Sequence, residues 1–289
     1  MAQKLTGKTA VITGGGGGIG RFIALGMAAE GAKVVVNDVS RDAEGKNSAE
    51  KVVEEITKAG GSAVANNDSI TTMQGGQNII KVALSNFGGV DILVNCAAIV
   101  WDRPIEDMTE EEWDRLLAVQ VKGYFSTVKA TLPEMIKKNS GRIINFSSRS
   151  ATFGAPNAAY ATAKAAVLGF TSAISMELKK YGITANVIIP SAQTANFSRP
   201  LNTLAAQGHG LTDNMPITPV RGPEYVAPIV VYLATDEAKD VTCQFIYSSG
   251  GDICIYAKPF QLPGPHMFIR KDGIWTVDEL ARVLPTLLK

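Results

Sequence analysis

The sequence predicts a doubly wound α/β fold, in which helices cover both faces of a mainly parallel sheet, and two observations indicate it. Short segments rich in β-branched residues alternate with helical patterns, and a glycine-rich turn follows the first of these segments. A parallel sheet requires such crossover helices, and its ligands lie beyond the carboxyl ends of the strands. We expect about seven strands, at 8–13, 32–38, 61–68, 90–98, 141–148, 183–190 and 243–251.

The glycine-rich turn is the stretch TGGGGGIG, from Thr13 to Gly20. A strand precedes it, and a helix that closes at Gly31 follows it. Glycine adopts positive φ, lets a ligand approach the backbone, and leaves the N–H groups and dipole of the next helix available to a phosphate. The turn is therefore a candidate cradle for a pyrophosphate, and a tight flexible turn is the alternative.

Composition limits the class of partner. The 289 residues, 46% of them hydrophobic, suffice for one large domain or two small ones. Lys and Arg total 28 against 27 Asp and Glu, so we expect a small-molecule substrate and no nucleic acid. The 3 cysteines and 2 histidines match no metal spacing, and no metal is expected. No apolar leader or stretch of about 18 apolar residues occurs, which predicts a soluble, cytoplasmic protein without membrane contact.

One catalytic domain is expected over 1–251, because no linker, repeat or low-complexity segment interrupts the alternation. Its polar segment 191–222 is too long for an ordinary connection and is predicted to be a lid, with a surface excursion as the alternative. The C-terminal extension, 252–289, carries a capping box of Thr276 and Glu279 before an apolar-faced helix. We expect it to pack on the same domain or on a neighbouring subunit, as a substrate wall or an oligomer contact.

A tyrosine and a lysine are the candidate catalytic groups. Tyr160 and Lys164, in YATAK, are four residues apart and share one helix face. The pKa of a free phenol is about 10, and a nearby cation favours its ionised form, so Tyr160 is expected to exchange protons with an alcohol near neutral pH. Ser148 ends the preceding strand, where it can hydrogen-bond a carbonyl oxygen in the same cleft. The alternative is an ordinary surface pair.

In this order, the glycine turn, the serine and the Tyr-Lys pair resemble the short-chain dehydrogenase/reductase family, over nearly the whole chain to Gly251. The residues that match the TGxxxGxG turn of the family are Thr13, Gly14, Gly18 and Gly20. The resemblance implies a Rossmann-type fold and hydride transfer between a secondary alcohol and a nicotinamide dinucleotide. It makes Tyr160 the general acid/base and Ser148 the group that orients the substrate oxygen. Lys164 then holds the nicotinamide ribose and lowers the pKa of the tyrosine.

Asp38, at the end of the second predicted strand, indicates NAD as the cofactor. Its carboxylate can accept both ribose hydroxyls and would repel a 2′-phosphate, although the cation of Arg41 lies nearby in the sequence. A turn-forming aspartate is the alternative. Besides Tyr160 and Lys164, the further cofactor-binding residues implied by the resemblance are Ile19, Asp68, Ser69, Asn95, Ala97, Pro190 and Thr194.

Departures from the family pattern affect the expected site. NCAA replaces the usual NNAG and so places Cys96 after Asn95, while PSAQT replaces a PG segment and keeps Thr194 as a nicotinamide contact. Gln120 stands where most members have the asparagine that holds a water in the proton relay. Glutamine offers the same amide on a longer stem, so we count Gln120 among the catalytic residues, with a changed relay geometry.

The expected substrate rests on AKVVVNDVS, AEKVVEEITKAGGSAVANNDSI and GPEYVAPIVVYL. These segments resemble the (3R)-hydroxyacyl-CoA dehydrogenase part of the peroxisomal multifunctional β-oxidation enzymes. This implies oxidation of a 3-hydroxyacyl-CoA by NAD, with a free cyclic or steroidal alcohol, or a non-catalytic NAD-binding sensor, as alternatives. The nucleotide end of CoA needs cations at the mouth of the cleft. The candidates are Arg103, Arg149, Arg199 and Arg221.

We also expect a homotetramer or a homodimer. Two helices carry more apolar residues than one sheet face requires, and the family resemblance suggests that such faces pair between subunits. These residues are Leu116, Leu117, Phe125, Ala166, Val167 and Phe170.

Overall fold

Eight strands form one sheet in the computed structural model, which describes residues 3–101, 103–153, 157–194 and 222–256. The strands are β1 Thr9–Thr13, β2 Lys33–Asn37, β3 Ser62–Asn66, β4 Ile92–Asn95, β5 Gly141–Phe146, β6 Ile183–Pro190, β7 Phe245–Ser249 and β8 Asp252–Ile255. Their order is β3-β2-β1-β4-β5-β6-β7-β8, with parallel pairing from β3 to β7 and an antiparallel β8. The doubly wound Rossmann-type fold and every predicted strand are confirmed.

Eight α-helices of the described residues connect these strands. They are α1 Gly18–Ala29, α2 Ser48–Lys58, α3 Met73–Phe87, α4 Glu110–Leu117, α5 Gly123–Lys138, α6 Ser150–Phe153, α7 Ala158–Leu178 and α8 Ala227–Ala234. At α4, Thr109 Oγ1 accepts the N–H of Glu112 at 3.2 Å, and the Glu112 carboxylate accepts the N–H of Thr109 at 3.1 Å. One π-helical turn, Ala118–Lys122, joins α4 to α5, and the sequence pattern does not predict it.

Apolar layers cover both faces of the sheet. Strand residues point alternately to the two faces, so Ala10 and Ile12 of β1 pack with α1, α2 and α8, while Val11 packs with α3, α5 and α7. Strands β1, β5 and β6 are buried along almost their whole length, as expected for strands that helices cover on both sides. The strand order reverses between β1 and β4, which opens a crevice at their carboxyl ends.

The carboxyl edge of the sheet carries a row of buried polar side chains. The strand register sets Thr13 beside Asn95, and Asn95 beside Asn145. Asn95 Nδ2 donates to Asn145 Oδ1 at 2.9 Å, and Thr127 Oγ1 of α5 donates to Asn95 Oδ1 at 2.7 Å. Asn145 Nδ2 donates in turn to Thr171 Oγ1 of α7 at 2.9 Å. These satisfied buried groups hold α5 and α7 against the strand ends.

The C-terminal part of the described chain adds a strand that the sequence pattern does not predict. Strand β8 opens the segment expected to be an extension, and it pairs with β7. It is only 4 residues long, and Ile253 and Ile255 are exposed, so no buried apolar pattern marks it. Residues 257–289, with the capping box and helix predicted there, lie outside the described residues, as do 195–221 of the predicted lid.

No helix in the described ranges is long and apolar enough to cross a membrane. The same ranges hold no group of three His, Cys, Asp or Glu side chains placed as metal ligands. Cys96, Cys243 and Cys254 are free thiols.

Candidate active site

The glycine-rich turn between β1 and α1 is packed closely against the rest of the protein. Gly14 has φ +69°, and a Cβ there would lie 2.7 Å from the backbone of Ala97. A Cβ on Gly20 would lie 2.1 Å from the carbonyl oxygen of Gly14. A side chain at either position would force the turn and its neighbours apart. The packing of the turn therefore requires glycine at these two positions before any ligand is considered.

The other end of the turn borders open space. A Cβ on Gly17 would meet no described atom within 4 Å, and Gly17 caps α1 without a side-chain hydrogen bond. Gly18 has φ +49°, and the Thr194 side chain lies 3.6 Å from the place its Cβ would take. Ile19 follows and packs partly on the core. The first N–H groups of α1 have no side-chain partner among the residues that the structure describes, and together with the helix dipole they fit the pyrophosphate of a dinucleotide.

Asp38 lies beside this turn, one residue after β2. Its Oδ2 accepts the N–H of Gly16 at 3.0 Å. Its Oδ1 accepts the N–H of Ser40 at 2.9 Å and the Ser40 hydroxyl at 2.6 Å. Arg41 donates instead to the carbonyl oxygen of Gly45 at 2.8 Å. Negative charge, rather than positive charge, therefore borders the turn.

Asp68 and Ser69 follow β3, on the other side of β2. The Asp68 carboxylate accepts from the amides of Asn66 at 2.7 Å and Asn78 at 3.0 Å, while Ser69 is exposed. Asn37 donates to the backbone carbonyl of Asp68 at 2.9 Å. The three asparagines hold Asp68 in place, and sequence reasoning missed them because a single amide near a strand end belongs to no motif.

The remaining predicted cofactor residues differ in their access to the cleft. Asn95 is fully buried, with both atoms of its amide bonded inside the protein. The N–H of Ala97 donates to Thr13 Oγ1 at 3.4 Å, and the Ala97 backbone lies against Gly14. Pro190 ends β6 at the same edge of the sheet. All three residues lie at the carboxyl edge of the sheet. The side chain of Asn95 is buried inside the protein there and is not exposed to the cleft.

Ser148, Tyr160 and Lys164 come together near the carboxyl end of β5. Helix α7 places Tyr160 and Lys164 one turn apart, with Lys164 Nζ 5.6 Å from the centroid of the Tyr160 ring. The hydroxyl of Ser148 donates to Ser150 Oγ at 3.4 Å and lies near enough to Tyr160 to favour the ionised form of its phenol. Lys164 is 1% exposed, and its Nζ donates to the carbonyl oxygen of Phe146 at 2.9 Å. Two partly buried hydroxyls and a buried amine in one cluster can move a proton to or from an alcohol oxygen.

Asn157 sets the start of the helix that carries this cluster. Its side chain accepts the N–H of Tyr160 at 3.1 Å as the N-cap of α7, and its amide donates to the carbonyl oxygen of Trp101. The first turn of α7 is thereby tied to the chain that follows β4. Sequence reasoning missed Asn157, although asparagine before a helical pattern is a common N-cap.

Burial dominates the ionisation of Tyr160. Burial raises the pKa of this phenol above its ordinary value of 10.0, and the nearby hydroxyl of Ser148 opposes the rise only in part. Burial also lowers the pKa of Lys164 from 10.5 to about 7, so the lysine is only partly charged near neutral pH. The pKa of Tyr160 is therefore raised in the protein without a cofactor, and the lowering of this pKa by a charged Lys164 stays a prediction for the cofactor-bound protein.

The lowered pKa of Lys164 predicts that stability rises with pH between about pH 7 and about pH 8.5. The folded pKa, about 7, lies below the ordinary value of 10.5, so the unfolded chain binds more protons in this range. We expect the free energy of unfolding to rise by about 1–2 kcal/mol, and the rise to vanish in Lys164→Met. Urea unfolding at the two pH values measures this. The same rise in Lys164→Met would contradict the lowered pKa.

Gln120 lies fully buried in the π-helical turn Ala118–Lys122. Its Nε2 donates to the carbonyl oxygen of Ile99 at 3.0 Å, whereas its Oε1 has no hydrogen-bond partner among the described residues. Leaving a buried acceptor unpaired costs free energy, which a bound water would recover. Gln120 therefore presents the free amide oxygen that a water relay requires.

The arginines predicted to bind CoA differ in their surroundings. Arg103 forms an ion pair with Glu112 at 2.8 Å. Arg149 lies near Tyr256, where burial raises the pKa of the phenol and the arginine opposes that rise. The two candidates outside the described residues are Arg199 and Arg221.

The apolar residues predicted to contact a second subunit divide into two groups. Leu116 and Val167 are buried in the core of the chain, so that part of the prediction is wrong. Phe125 is 43% exposed and can meet a partner. The partly exposed residues are Leu117, Ala166 and Phe170. The apolar surface left for a second subunit is smaller than the helical pattern predicts, because both helices also fill the core.

A Rossmann-type sheet with a partly buried Ser-Tyr-Lys cluster beside a glycine-rich turn defines an oxidoreductase of the nicotinamide-dependent kind. Residues 8–204 match the sequence profile described as short chain dehydrogenase. The chain belongs to the short-chain dehydrogenase/reductase family, as its motifs predict.

Two relatives and one solved structure match most of this chain. The chain is 36% identical over 242 residues to peroxisomal multifunctional enzyme type 2 of Mus musculus, which covers 82% of this chain and 31% of the mouse enzyme. It is 36% identical over 246 residues to a 3-oxoacyl-(acyl-carrier-protein) reductase of Staphylococcus epidermidis, covering 84% and 98% of the two chains. A crystal structure of a short chain dehydrogenase from Mycobacterium avium has TM-score 0.84 and 36% identity, covering 99% and 95%. The chain thus spans less than a third of the mouse enzyme.

Proposed function

We propose that the protein is an NAD-dependent oxidoreductase that interconverts a secondary alcohol and a ketone, with a 3-hydroxyacyl-CoA as the substrate class. The observation that carries the reaction type is the cluster of Ser148, Tyr160 and the buried Lys164 near the glycine-rich turn. Membership of the family supports the same reaction. A sensor that only binds a dinucleotide has no need of a proton-transferring phenol, which disfavours that alternative.

NAD is the proposed cofactor because negative charge borders the turn. Asp38 is placed to accept ribose hydroxyls and would repel a 2′-phosphate, while Arg41 is bonded to Gly45. Gly17 and Gly18 leave space and helix N–H groups for the pyrophosphate. When bound, the nicotinamide ring supplies the hydride acceptor for the alcohol carbon.

Tyr160 is the proposed proton donor in ketone reduction and proton acceptor in alcohol oxidation. Burial raises its pKa in the protein alone, so the phenol holds its proton at neutral pH and can donate it to a ketone oxygen. Oxidation needs the phenolate, which a charged Lys164 stabilises. Ser148, which lies near Tyr160, orients the substrate oxygen. A water on the free Oε1 of Gln120 would connect this cluster to solvent.

Two observations support the proposed substrate class, which are the name of a relative and the positions of arginine side chains. The Staphylococcus relative is named for a 3-oxoacyl thioester, and we extend the matching 3-hydroxyacyl thioester to this chain. CoA differs from a carrier protein in its adenine and phosphates, which arginine binds well. Arg149 directly follows the substrate-orienting Ser148, whereas Arg103 lies in the chain beyond β4. Arg149 is therefore the best placed of the described arginines.

We expect kcat/KM for a 3-hydroxyacyl-CoA to exceed that for the same acyl group on a pantetheine stub by roughly tenfold or more, because the nucleotide end adds charge-assisted hydrogen bonds. The appearance of NADH absorbance measures both rates. The ratio should shrink in Arg149→Ala, and also in Arg199→Ala or Arg221→Ala if those residues contribute. Arg103→Ala is the control for the loss of one arginine charge at a candidate position that does not adjoin Ser148.

Three other outcomes would change the proposal. Equal rates on the two thioesters would remove CoA recognition. Activity only on free cyclic or steroidal alcohols would replace the thioester by that class. NADH binding without turnover of any alcohol or ketone would favour the sensor.

A further inference from the structure

Tyr124 is a buried tyrosine that the proposed proton transfer does not use. It is the second residue of α5, directly after the π-helical turn, and none of its surface is exposed. Its hydroxyl lies 3.3 Å from the carbonyl oxygens of both Ala97 and Phe146 and donates its single proton to them. Burial raises the pKa of Tyr124 well above its ordinary value, so the phenol stays neutral. A neutral aromatic ring is therefore held at the ends of β4 and β5.

The ammonium group of Lys164 lies near the rings of two tyrosines. Its Nζ is 5.6 Å from the ring centroid of Tyr124 and 5.6 Å from that of Tyr160. Both distances fall within the roughly 6 Å at which an aromatic ring attracts a cation. Lys164 Nζ and the Tyr124 hydroxyl also donate to the same carbonyl oxygen, that of Phe146. Tyr124 thus acts on the lysine in two ways, through its ring and through the shared acceptor.

The charge on Lys164 has little other support. Burial takes water from the ammonium group and lowers its pKa to about 7. The titratable groups that face it from the described elements are the phenols of Tyr124 and Tyr160 and the thiol of Cys96. Burial raises the pKa of Cys96 to about 12, so this thiol is neutral as well. An aromatic ring attracts the charged form of lysine and not the neutral amine, so it favours protonation.

We propose that Tyr124 is a positioning residue that holds Lys164 in its charged form and sets the place of its ammonium group. This inference rests on the proposed function, in which a charged Lys164 stabilises the Tyr160 phenolate. The aromatic ring is the essential part of Tyr124. Tyr124→Phe keeps the ring and loses the hydroxyl, whereas Tyr124→Leu loses both.

The direct test is the pKa of Lys164 in the protein without cofactor, measured by NMR of ¹³C-labelled lysine and assigned with Lys164→Met. We expect the pKa of Lys164 to fall by about one pH unit in Tyr124→Leu and to stay within about 0.3 in Tyr124→Phe. Val128→Ala, a buried substitution in the same helix, is the control for a loosened core and should leave the pKa unchanged. An unchanged pKa in Tyr124→Leu, or an equal fall in Tyr124→Phe, would overturn the proposal.

A second variant changes the shape of the side chain less, and it tests the proposal even if Tyr124→Leu does not fold. A trifluorinated phenylalanine at this position keeps the ring but withdraws electrons from its face, which weakens the attraction for a cation. We expect the pKa of Lys164 to be lower in this variant than in Tyr124→Phe. Equal values in the two variants would contradict a role of the ring.

The pH profile of alcohol oxidation links the measurement to activity. In kcat/KM, the limb that rises near pH 7 belongs to the coupled pair of Tyr160 and Lys164 in the free enzyme and follows the first proton lost, which is that of Lys164. This limb should move to lower pH in Tyr124→Leu by the shift that NMR measures, and it should not move in Val128→Ala. If NMR shows the shift but the wild-type protein oxidises no alcohol, the proposed function fails and the role of Tyr124 stands.

Discussion

Tyr160→Phe is expected to lower kcat for alcohol oxidation by roughly 10² to 10⁴ while leaving NADH affinity nearly unchanged. The substitution removes the hydroxyl that accepts the proton and keeps the ring that packs beside Lys164. Steady-state kinetics with NADH absorbance gives kcat, and quenching or enhancement of NADH fluorescence gives the affinity. The two measurements together separate proton transfer from cofactor binding.

Two further variants make this result specific. Tyr225→Phe changes a tyrosine that is 44% exposed and should retain wild-type kinetics. Lys164→Ala should lower both kcat and NADH affinity, because the lysine is assigned to the ribose as well as to the phenol. Wild-type kcat in Tyr160→Phe would show that the proton goes to another group.

NAD is expected to be preferred over NADP by roughly tenfold or more in kcat/KM, and Asp38→Asn is expected to remove most of this preference. Asparagine keeps one oxygen that can accept the Gly16 N–H, as Oδ2 of Asp38 does at 3.0 Å, but it carries no charge. The substitution therefore tests charge repulsion against a 2′-phosphate without removing the hydrogen bond from Gly16 that holds the turn. Rates with both cofactors at one saturating alcohol concentration measure the preference.

Asp42→Asn is the matched control for this experiment. Asp42 lies on the same loop and forms an ion pair with Lys51, so its charge is already compensated. We expect its cofactor preference to equal that of the wild type. A tenfold preference for NADP in the wild-type protein would contradict the role of Asp38 and direct attention to Arg41.

The fold was predictable where local pattern and burial agree. Strands such as β1 and β5 are short, β-branched and buried, and α4 begins at the capping box that Thr109 and Glu112 form. Strand β8 was not predictable, because its hairpin partner buries only alternate residues and its isoleucines remain exposed. The π-helical turn at Gln120 was not predictable either, because one extra residue in a helix barely changes the apolar pattern.

The sequence was sufficient to predict which residues form the site, but it was not sufficient to predict their pKa values. Spacing in the sequence places Tyr160 and Lys164 on one helix face, and the structure brings Ser148 to them. The pKa of Lys164 depends on how deeply the whole fold buries it, which no spacing reveals. The position of Tyr124 beside Lys164 was not predictable either, because a tyrosine at the start of a helix has the sequence pattern of an ordinary core residue. Its place beside Lys164 depends on β4, β5 and α7 together.

The buried polar row has a consequence for how substrate preference can change. Thr127 binds Asn95, Asn95 binds Asn145, and Asn145 binds Thr171, so α5 and α7 are bonded to the inside of the sheet. Helix α5 carries Tyr124, and α7 carries the pair of Tyr160 and Lys164. The chain beyond the strand ends can therefore acquire substitutions, and with them new substrates, while the proton-transferring residues keep their positions.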